Sequence, residues 1–219
     1  MLLRDISVRT RYKSKVYFEG IGITQIITGL YLSCIKKYDS GEFSKIVIEI
    51  GDQIEENGVD RMLNIIAIKK QFDFEKYQQS SVYQRKKMLL DVLQEGILTI
   101  ADIDGLDRKP LLVAYDCCMK RGLEYKYLLK DKYYLSPSRK QYGGVFCNWD
   151  IDKFEAYVIV FDKNKRDVER IKLMESPYWD LEPMGKAGWD KNTGEFYLFS
   201  KDHSHKWTAA FIKKEHEDK

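Results

Sequence analysis

The chain has 219 residues, of which 44% are hydrophobic and 32% charged, and its formal net charge is +3. This length suits one extended domain in two lobes, and this composition is typical of a folding chain and not of a disordered one. A net charge so close to zero does not by itself indicate a nucleic-acid-binding protein. The N-terminal residues lack the apolar segment of a secretion signal, and no apolar run approaches the about 18 residues that cross a bilayer. We therefore expect a cytoplasmic protein.

The N-terminal part of the chain begins with a predicted strand. Apolar and polar residues alternate from Ile6 to Phe18, which is typical of a half-buried strand with a basic outer face. Apolar residues at helical spacing then predict a helix between Ile23 and Tyr38. Residues 44–51 ("SKIVIEIG") and 61–72 ("RMLNIIAIKKQF") predict two strands that pair across an acidic loop.

Two helices are predicted in the middle of the chain. The first runs from Ser81 to about Ala101, with Ser80 or Ser81 as its N-cap, and the second runs from about Asp107 to Lys120. Gly122 is placed to end the second helix. These helices separate a mixed α/β lobe (1–122) from a β lobe (123–212), and a polar tail (213–219) follows.

The C-terminal part predicts strands and turns almost throughout. The turn sequences "DKNK" and "DKNTG" favour hairpins, because Asn and Gly tolerate positive φ. We predict an α+β protein: N-terminal strands and helices are followed by a C-terminal antiparallel β-meander. In this prediction the residues from Glu124 to Phe211 form one sheet, with consecutive strands paired.

Charge is unevenly distributed and predicts binding surfaces. The segment from Glu49 to Asp60 carries five acids and no base, and the segment from Lys120 to Lys140 carries seven bases against two acids. We expect one acidic and one basic rim that steer a partner of opposite charge. Tryptophans in a connection rich in Pro and Gly add a second kind of contact, because loop tryptophans are frequent at protein interfaces. The predicted partner-binding residues are Arg9, Arg11, Lys13, Lys15, Glu49, Asp52, Glu55, Glu56, Tyr178, Trp179 and Trp189.

Each of these surfaces also has a purely structural interpretation. The basic face of the first strand serves equally well as a solvated edge that discourages pairing with other chains. The side chains of Trp179 and Trp189 serve equally well to cover the open end of the sheet. The sequence leaves both alternatives open.

Three patterns in the sequence resemble metal or catalytic sites. On a strand, His203 and His205 would project from one face about 7 Å apart, which permits a shared metal, but a solvated strand face or a hairpin turn explains them better. Asp102, Asp104 and Gly105 resemble the start of a calcium loop without its glutamate, so helix capping is the better explanation. The spacing of Asp116, Glu124 and Lys126 also occurs in metal-dependent nucleases, but the aspartate lies on a predicted helix. We predict no cofactor and no catalytic residue.

The four cysteines are Cys34, Cys117, Cys118 and Cys147, and they lack the spacing of a zinc or redox pair. We predict that all four are reduced and that no structural zinc is present. The adjacent pair Cys117 and Cys118 permits a redox switch, although ordinary packing is the more common role of such residues.

Tyrosines are interleaved with the basic residues around Lys120 to Lys140. They are Tyr125, Tyr127, Tyr133, Tyr134 and Tyr142, and such a surface can follow a phosphate backbone and stack bases. Strands also favour tyrosine for its own sake. The adjacent stretch from Leu135 to Gly144, rich in Pro, Ser and Gly, predicts a loop or a mobile flap beside this surface.

The segments "WDIDKFEAYVIVFDKNK" and "LFSKDHSHKW" resemble the C-terminal meanders of small bacterial α+β proteins of the toxin-immunity type. The resemblance implies a cytoplasmic inhibitor that binds a toxin domain and has no chemistry of its own. Phosphate-binding loops and nucleophile-elbow motifs are missing from the sequence, which also disfavours an enzyme. We therefore predict a non-enzymatic protein-binding module, with a nucleic-acid-binding or nuclease-like protein of a defence or mobile-element system as the alternative.

Overall fold

The structure is a computed structural model that describes residues 1–10, 21–35, 37–55, 58–151, 153–162, 164, 167–176 and 184–209. The chain divides into two compact units, Met1–Tyr125 and Lys126–Lys219. The elements of the first unit are β1 (Asp5–Thr10), α1 (Ile21–Cys34), β2 (Lys45–Gly51), β3 (Val59–Met62), β4 (Ile65–Gln71), α2 (Phe74–Gln79), α3 (Val82–Asp104) and α4 (Lys109–Lys120). In the described residues, no helix is both long and apolar enough to cross a membrane.

The sheet of the first unit has the strand order β1-β2-β4-β3. Strands β1, β2 and β4 are parallel, and β3 is antiparallel to β4. The predicted pairing of residues 44–51 with residues 61–72 is thus confirmed, but the second segment is two strands joined at Leu63 and Asn64. Because β3 reverses into β4 at this turn, β4 runs in the same direction as β2.

The helices of this unit bury one face of the sheet. Residues of even number on the parallel strands, such as Ile46, Ile48 and Ile66, are almost fully buried, as strand alternation requires. Gly96 of α3 lies against Ile48, with no room for a side chain between them. Helix α4 packs on α1 and α3 and completes the helical layer.

A buried polar contact ties the three helices together. The Tyr31 hydroxyl lies 2.6 Å from Gln94 Oε1 and 3.1 Å from the Leu111 carbonyl oxygen, while Gln94 Nε2 is buried without a hydrogen-bond partner. One hydroxyl proton cannot serve two acceptors. Turning the Gln94 amide over lets Nε2 donate to the tyrosine oxygen while the hydroxyl donates to Leu111, so Nε2 and the hydroxyl proton each have one partner.

Helix α3 begins at a predicted cap but ends three residues later than predicted, and α1 is shorter than predicted. Ser81 caps α3 in a capping box with Gln84, and the helix ends at Gly105 in the left-handed conformation with φ 65°. Helix α1 ends at Cys34 and does not extend to Tyr38, because the Tyr38 carbonyl accepts a hydrogen bond from the backbone of Leu3. The short helix α2 had no clear period in the sequence.

The second unit contains strands in two antiparallel sheets. Strands β5 (Tyr125–Leu135), β6 (Tyr142–Trp149), β7 (Phe154–Phe161) and β8 (Asp167–Ser176) form one sheet in that order, and β9 (Met184–Trp189), β10 (Phe196–Ser200) and β11 (Lys206–Ala209) form the other. The predicted α+β class with an antiparallel C-terminal part is confirmed. The prediction of a single sheet is wrong.

Burial explains why two sheets form. The apolar residues of β6 and β7, among them Val145, Phe154 and Val158, share one buried cluster with Phe196 and Leu198 of the other sheet. A single flat sheet would leave that apolar face in water, whereas two facing sheets cover each other. Strand β9 was missed because its two glycines suggested a loop. In the structure a Cβ at Gly185 would lie 2.4 Å from the Ser200 carbonyl oxygen, so glycine allows the close pairing with β10.

Candidate protein-binding surfaces

The predicted basic face of the first strand and the predicted acidic segment meet in the first sheet as one row of alternating charge. Arg9 of β1 is the register partner of Glu49 of β2, and Glu49 is the partner of Lys69 of β4. Lys69 Nζ lies 3.1 Å from a carboxylate oxygen of Asp60 on β3. Opposite charges on neighbouring strands stabilise the sheet itself. Arg9 and Glu49 therefore have a structural role in this sheet.

The structure describes only some of the other predicted binding residues of the acidic segment and the basic strand face. Asp52 and Glu55 are exposed in the connection from β2 to β3. Glu56 and the basic residues Arg11, Lys13 and Lys15 lie outside the described residues. The acidic loop thus offers two exposed carboxylates to solvent within the part that the structure describes.

Of the predicted aromatic residues, the structure describes Trp189, while Tyr178 and Trp179 lie outside the described residues. Trp189 is in β9 and not in a loop. Its indole Nε1 donates to the Tyr134 carbonyl oxygen at 2.9 Å, and its ring meets Phe196 edge to face with centroids 5.2 Å apart. These contacts hold the indole in one orientation. A Cβ at Gly143 would lie 2.9 Å from the indole, so this glycine makes room for the ring.

The half-buried Trp189 side chain forms one wall of an open pocket of about 430 Å³, which we call the Trp189 pocket. Its lining residues are Lys132, Tyr133, Tyr134, Leu135, Pro137, Trp189 and Lys191. The volume falls within the range of about 300–1,000 Å³ that is common for ligand pockets. The Tyr133 ring packs against Phe146 and Phe161 on the face of the sheet opposite to Trp189, so the aromatic rings that face the pocket are those of Tyr134 and Trp189.

The electrostatic character of the Trp189 pocket is basic. Lys132 and Lys191 are both exposed, and Lys132 Nζ lies 4.8 Å from the centre of the Tyr134 ring. The carboxylate of Asp190, the residue after Trp189, accepts hydrogen bonds from the backbone of Asn192 and Thr193. These bonds lower its pKa and hold it in the turn between β9 and β10.

The loop after β5 and a bend within β5 shape the border of the pocket. The Ser136 backbone N–H donates to the Gln141 carbonyl oxygen at 2.9 Å, and the Gln141 N–H donates to Ser136 Oγ at 3.2 Å. The stretch predicted as a loop or mobile flap is therefore a loop closed at its base. In the middle of β5, Lys130 and Asp131 both have positive φ, 57° and 48°, so the strand bends sharply just before Lys132.

His203 and His205 lie near one hairpin and not on one strand face. Both are exposed, and His203 has φ 60° in the turn between β10 and β11. On a strand, Asp202 would project from the face opposite to the two histidines. Here it lies in the turn and accepts hydrogen bonds from Ser200 and from the backbone and side chain of Ser204, which lower its pKa to about 2. Among the described residues, no group of His, Cys, Asp or Glu is arranged to hold a metal ion.

The carboxylates of the calcium-like pattern form ion pairs. Asp102 binds Arg108 at 2.8 Å, and Asp104 binds Arg61 of β3, so both stabilise the C-terminal end of α3. Their role is not capping, which Gly105 performs. Asp116 of the nuclease-like spacing is exposed on α4, on a helix as predicted.

A second open pocket, of about 600 Å³, lies between β1 and α1. Its walls include Ser7, Arg9 and Thr28, and the Ser7 hydroxyl is buried without a hydrogen-bond partner. Residues 11–20 connect β1 to α1 at this edge and fall outside the described residues. Only the walls formed by β1, α1 and Ile50 are therefore defined.

The cysteines differ from the prediction. Cys34 and Cys117 form a disulfide between α1 and α4, so the prediction of four reduced thiols is wrong. Sequence spacing could not show this contact, because the two residues are separated by 83 positions and meet only when the helices pack. Cys118 and Cys147 are free and buried, and burial raises the pKa of each to about 12.

Comparisons with known proteins found no matching family model, no similar curated protein and no similar solved structure.

Proposed function

We propose that this chain is a protein-binding module that binds its partner through the Trp189 pocket. The observation that carries the proposal is an aromatic pocket, open to solvent, whose indole wall is held by a hydrogen bond and whose rim carries Lys132 and Lys191. Tryptophan and tyrosine are enriched among the residues that dominate binding energy at protein interfaces. A preorganised aromatic wall also loses little conformational entropy on binding.

The chemistry of the pocket defines the partner. The rings of Tyr134 and Trp189 suit one apolar or aromatic anchor side chain, and Lys132 and Lys191 in the same lining suit carboxylates near the anchor. The expected ligand is therefore an acidic segment with an apolar residue at its centre. The lysines act mainly on the association rate, while the aromatic residues act on the dissociation rate.

In its specific form, the proposal is a cytoplasmic inhibitor of the immunity type, which blocks a bacterial toxin by occupying an acidic surface. The faint resemblance of residues 149–165 and 198–207 to such proteins supports this form. The inhibitor needs no catalytic residue of its own. The product of the neighbouring open reading frame is the first partner to test.

The test measures binding of that product to the full chain by surface plasmon resonance at two salt concentrations. Tyr134→Leu, which keeps an apolar side chain beside Phe196 but removes the aromatic ring, should raise the Kd at least tenfold, which corresponds to about 1.4 kcal/mol. The double variant Lys132→Glu/Lys191→Glu should slow association several-fold at low salt. Lys201→Glu, in the exposed turn after β10, is the matched control and should bind like the wild type. Equal affinity of wild type and pocket variants would overturn the proposal.

Nucleic acid is the alternative ligand of the same surface, because exposed Arg139 and Lys140 lie in the loop beside Tyr142, which is 38% exposed. A single-stranded oligonucleotide of mixed sequence distinguishes the two functions. If it binds, and if its log Kd rises steeply and linearly with log salt concentration, the nucleic-acid function replaces the protein-binding one. A protein interface with an apolar centre loses much less affinity over the same salt range.

A further inference from the structure

Three cysteines lie together where the ends of α1 and α4 meet. Cys34 and Cys117 are joined by the disulfide, and the Cys118 sulfur lies 3.9 Å from the Cys34 sulfur. The Cys34 sulfur is thus bonded to Cys117 and has the free thiol of Cys118 within reach.

The surroundings of Cys34 favour exchange at its sulfur. The Arg121 guanidinium Nη1 lies 3.9 Å from Cys34 Sγ and donates to Ser33 Oγ at 2.8 Å, which holds the positive charge beside the sulfur. A neighbouring cation stabilises the negative charge that develops on the sulfurs during thiol–disulfide exchange. Cys34 and Cys117 are half-buried, so solvent and small reagents can reach them, whereas Cys118 is fully buried.

The C-terminal turn of α4 can supply the movement that brings Cys118 into bonding distance of Cys34. Neighbours on a helix point about 100° apart, so bonding Cys118 to Cys34 in place of Cys117 requires the last turn of α4 to rotate. Both lie in the last turn of α4, which ends before Gly122 and Leu123, with φ 62° and 58°. Terminal turns open most easily because they have the fewest backbone hydrogen bonds beyond them.

We propose that Cys34, Cys117 and Cys118 form a thiol–disulfide exchange site in which Cys118 displaces Cys117 from Cys34. The Cys118 thiol loses its proton to solvent, and its sulfur attacks Cys34 Sγ. The new Cys34–Cys118 bond forms as the Cys34–Cys117 bond breaks, and Cys117 leaves with the electron pair and takes up a proton. The numbers of bonds, electrons and protons are unchanged, so the step requires no external oxidant.

The exchange changes the structure and the reactivity of this end of the molecule. It turns or unwinds the last turn of α4 relative to α1 and replaces a buried thiol with a half-buried one. In a reducing compartment, disulfides are usually transient or redox-sensing, and a site that retains a reactive thiol in either pairing fits that use. Burial raises the pKa of Cys118 to about 12, so exchange at neutral pH proceeds only when the terminal turn opens.

The first experiment labels the native, non-reduced protein with iodoacetamide and locates the label by mass spectrometry with fragmentation between Cys117 and Cys118. We expect label on Cys117 together with a Cys34–Cys118 bond, accumulating over minutes to hours as is usual for uncatalysed disulfide rearrangement. Cys147, buried in the second unit, is the internal control and should stay unlabelled. No label on Cys117 after a day, or label on Cys118 with the Cys34–Cys117 bond intact, would overturn the proposal.

The second experiment uses variants in a glutathione redox buffer, with circular dichroism to verify folding. Cys117→Ser should form the Cys34–Cys118 bond and leave one free thiol, that of Cys147. Cys118→Ser should keep the Cys34–Cys117 bond and take up no label at Cys117, because it has no attacking thiol. Three free thiols in folded Cys117→Ser would mean that Cys118 cannot reach Cys34, and the exchange site would be refuted.

Discussion

Gly96 tests how closely α3 packs on the sheet of the first unit. A Cβ built on Gly96 lies 2.6 Å from Ile48 Cδ1 and 3.3 Å from Ile68 Cγ2. Ile48 is completely buried and Ile68 is 4% exposed. Gly96→Ala therefore adds one methyl group where two strands and a helix already touch.

Two effects of opposite sign determine the result. Alanine is favoured over glycine in a helix interior by about 1 kcal/mol. Against this, extra atoms in a packed core cost about 1–3 kcal/mol. The contact of 2.6 Å is about 1 Å inside the usual carbon–carbon separation, and Ile48 is completely buried, so its Cδ1 atom has no open space into which it can rotate. We expect the clash to win, with a net destabilisation of about 1–2 kcal/mol.

The assay is urea unfolding followed by two signals. All described helices lie in the first unit, so far-ultraviolet circular dichroism reports mainly on that unit, whereas all four tryptophans lie beyond residue 148 and report on the second. Gly96→Ala should lower the first midpoint and leave the tryptophan midpoint unchanged. In the Ile48→Val background, which lacks the clashing Cδ1 atom, the same change should be neutral or stabilising. A stabilised Gly96→Ala protein in the wild-type background would refute the predicted packing.

Four further changes have defined outcomes. Leu63 has φ 54° and is 94% exposed, so Leu63→Gly should raise the free energy of unfolding by about 0.5–1 kcal/mol in urea titrations. Asp131→Gly, at φ 48°, should stabilise the second unit by about 0.5 kcal/mol, as read from the tryptophan midpoint. Tyr31→Phe should cost about 1–3 kcal/mol because it leaves the buried Gln94 amide without its partner, and a smaller loss would show that water replaces the hydroxyl. Lysine ion pairs lower the pKa of Glu155 to about 2 from 4.5, so its contribution to stability is complete above pH 5 and is lost as the pH falls toward 2. Glu155→Gln should flatten this acid limb of the stability curve, and an unchanged limb would assign the pH dependence to other carboxylates.

The local elements of this protein were determined by short-range sequence patterns. Ser81 and Gln84 placed the start of α3 because a capping box needs only residues three positions apart. The run of β-branched and aromatic residues at 154–161 predicted β7, and "DKNTG" predicted the turn that precedes β10, because both signals act between near neighbours. The antiparallel α+β class followed from these elements.

The pairing of distant elements was decided by tertiary structure. Sequence periodicity shows that a strand face is apolar but not what covers it, so the second layer over β6 and β7 was not foreseen. The tyrosines and lysines of the Trp189 pocket were visible as a basic, aromatic segment of the chain. Their junction with Trp189 depends on a hydrogen bond to Tyr134 across 55 positions. In the same way, Cys34 meets Cys117 and Cys118 only because α1 and α4 pack together, since the free energy of burying their apolar faces selects the partner and local spacing does not.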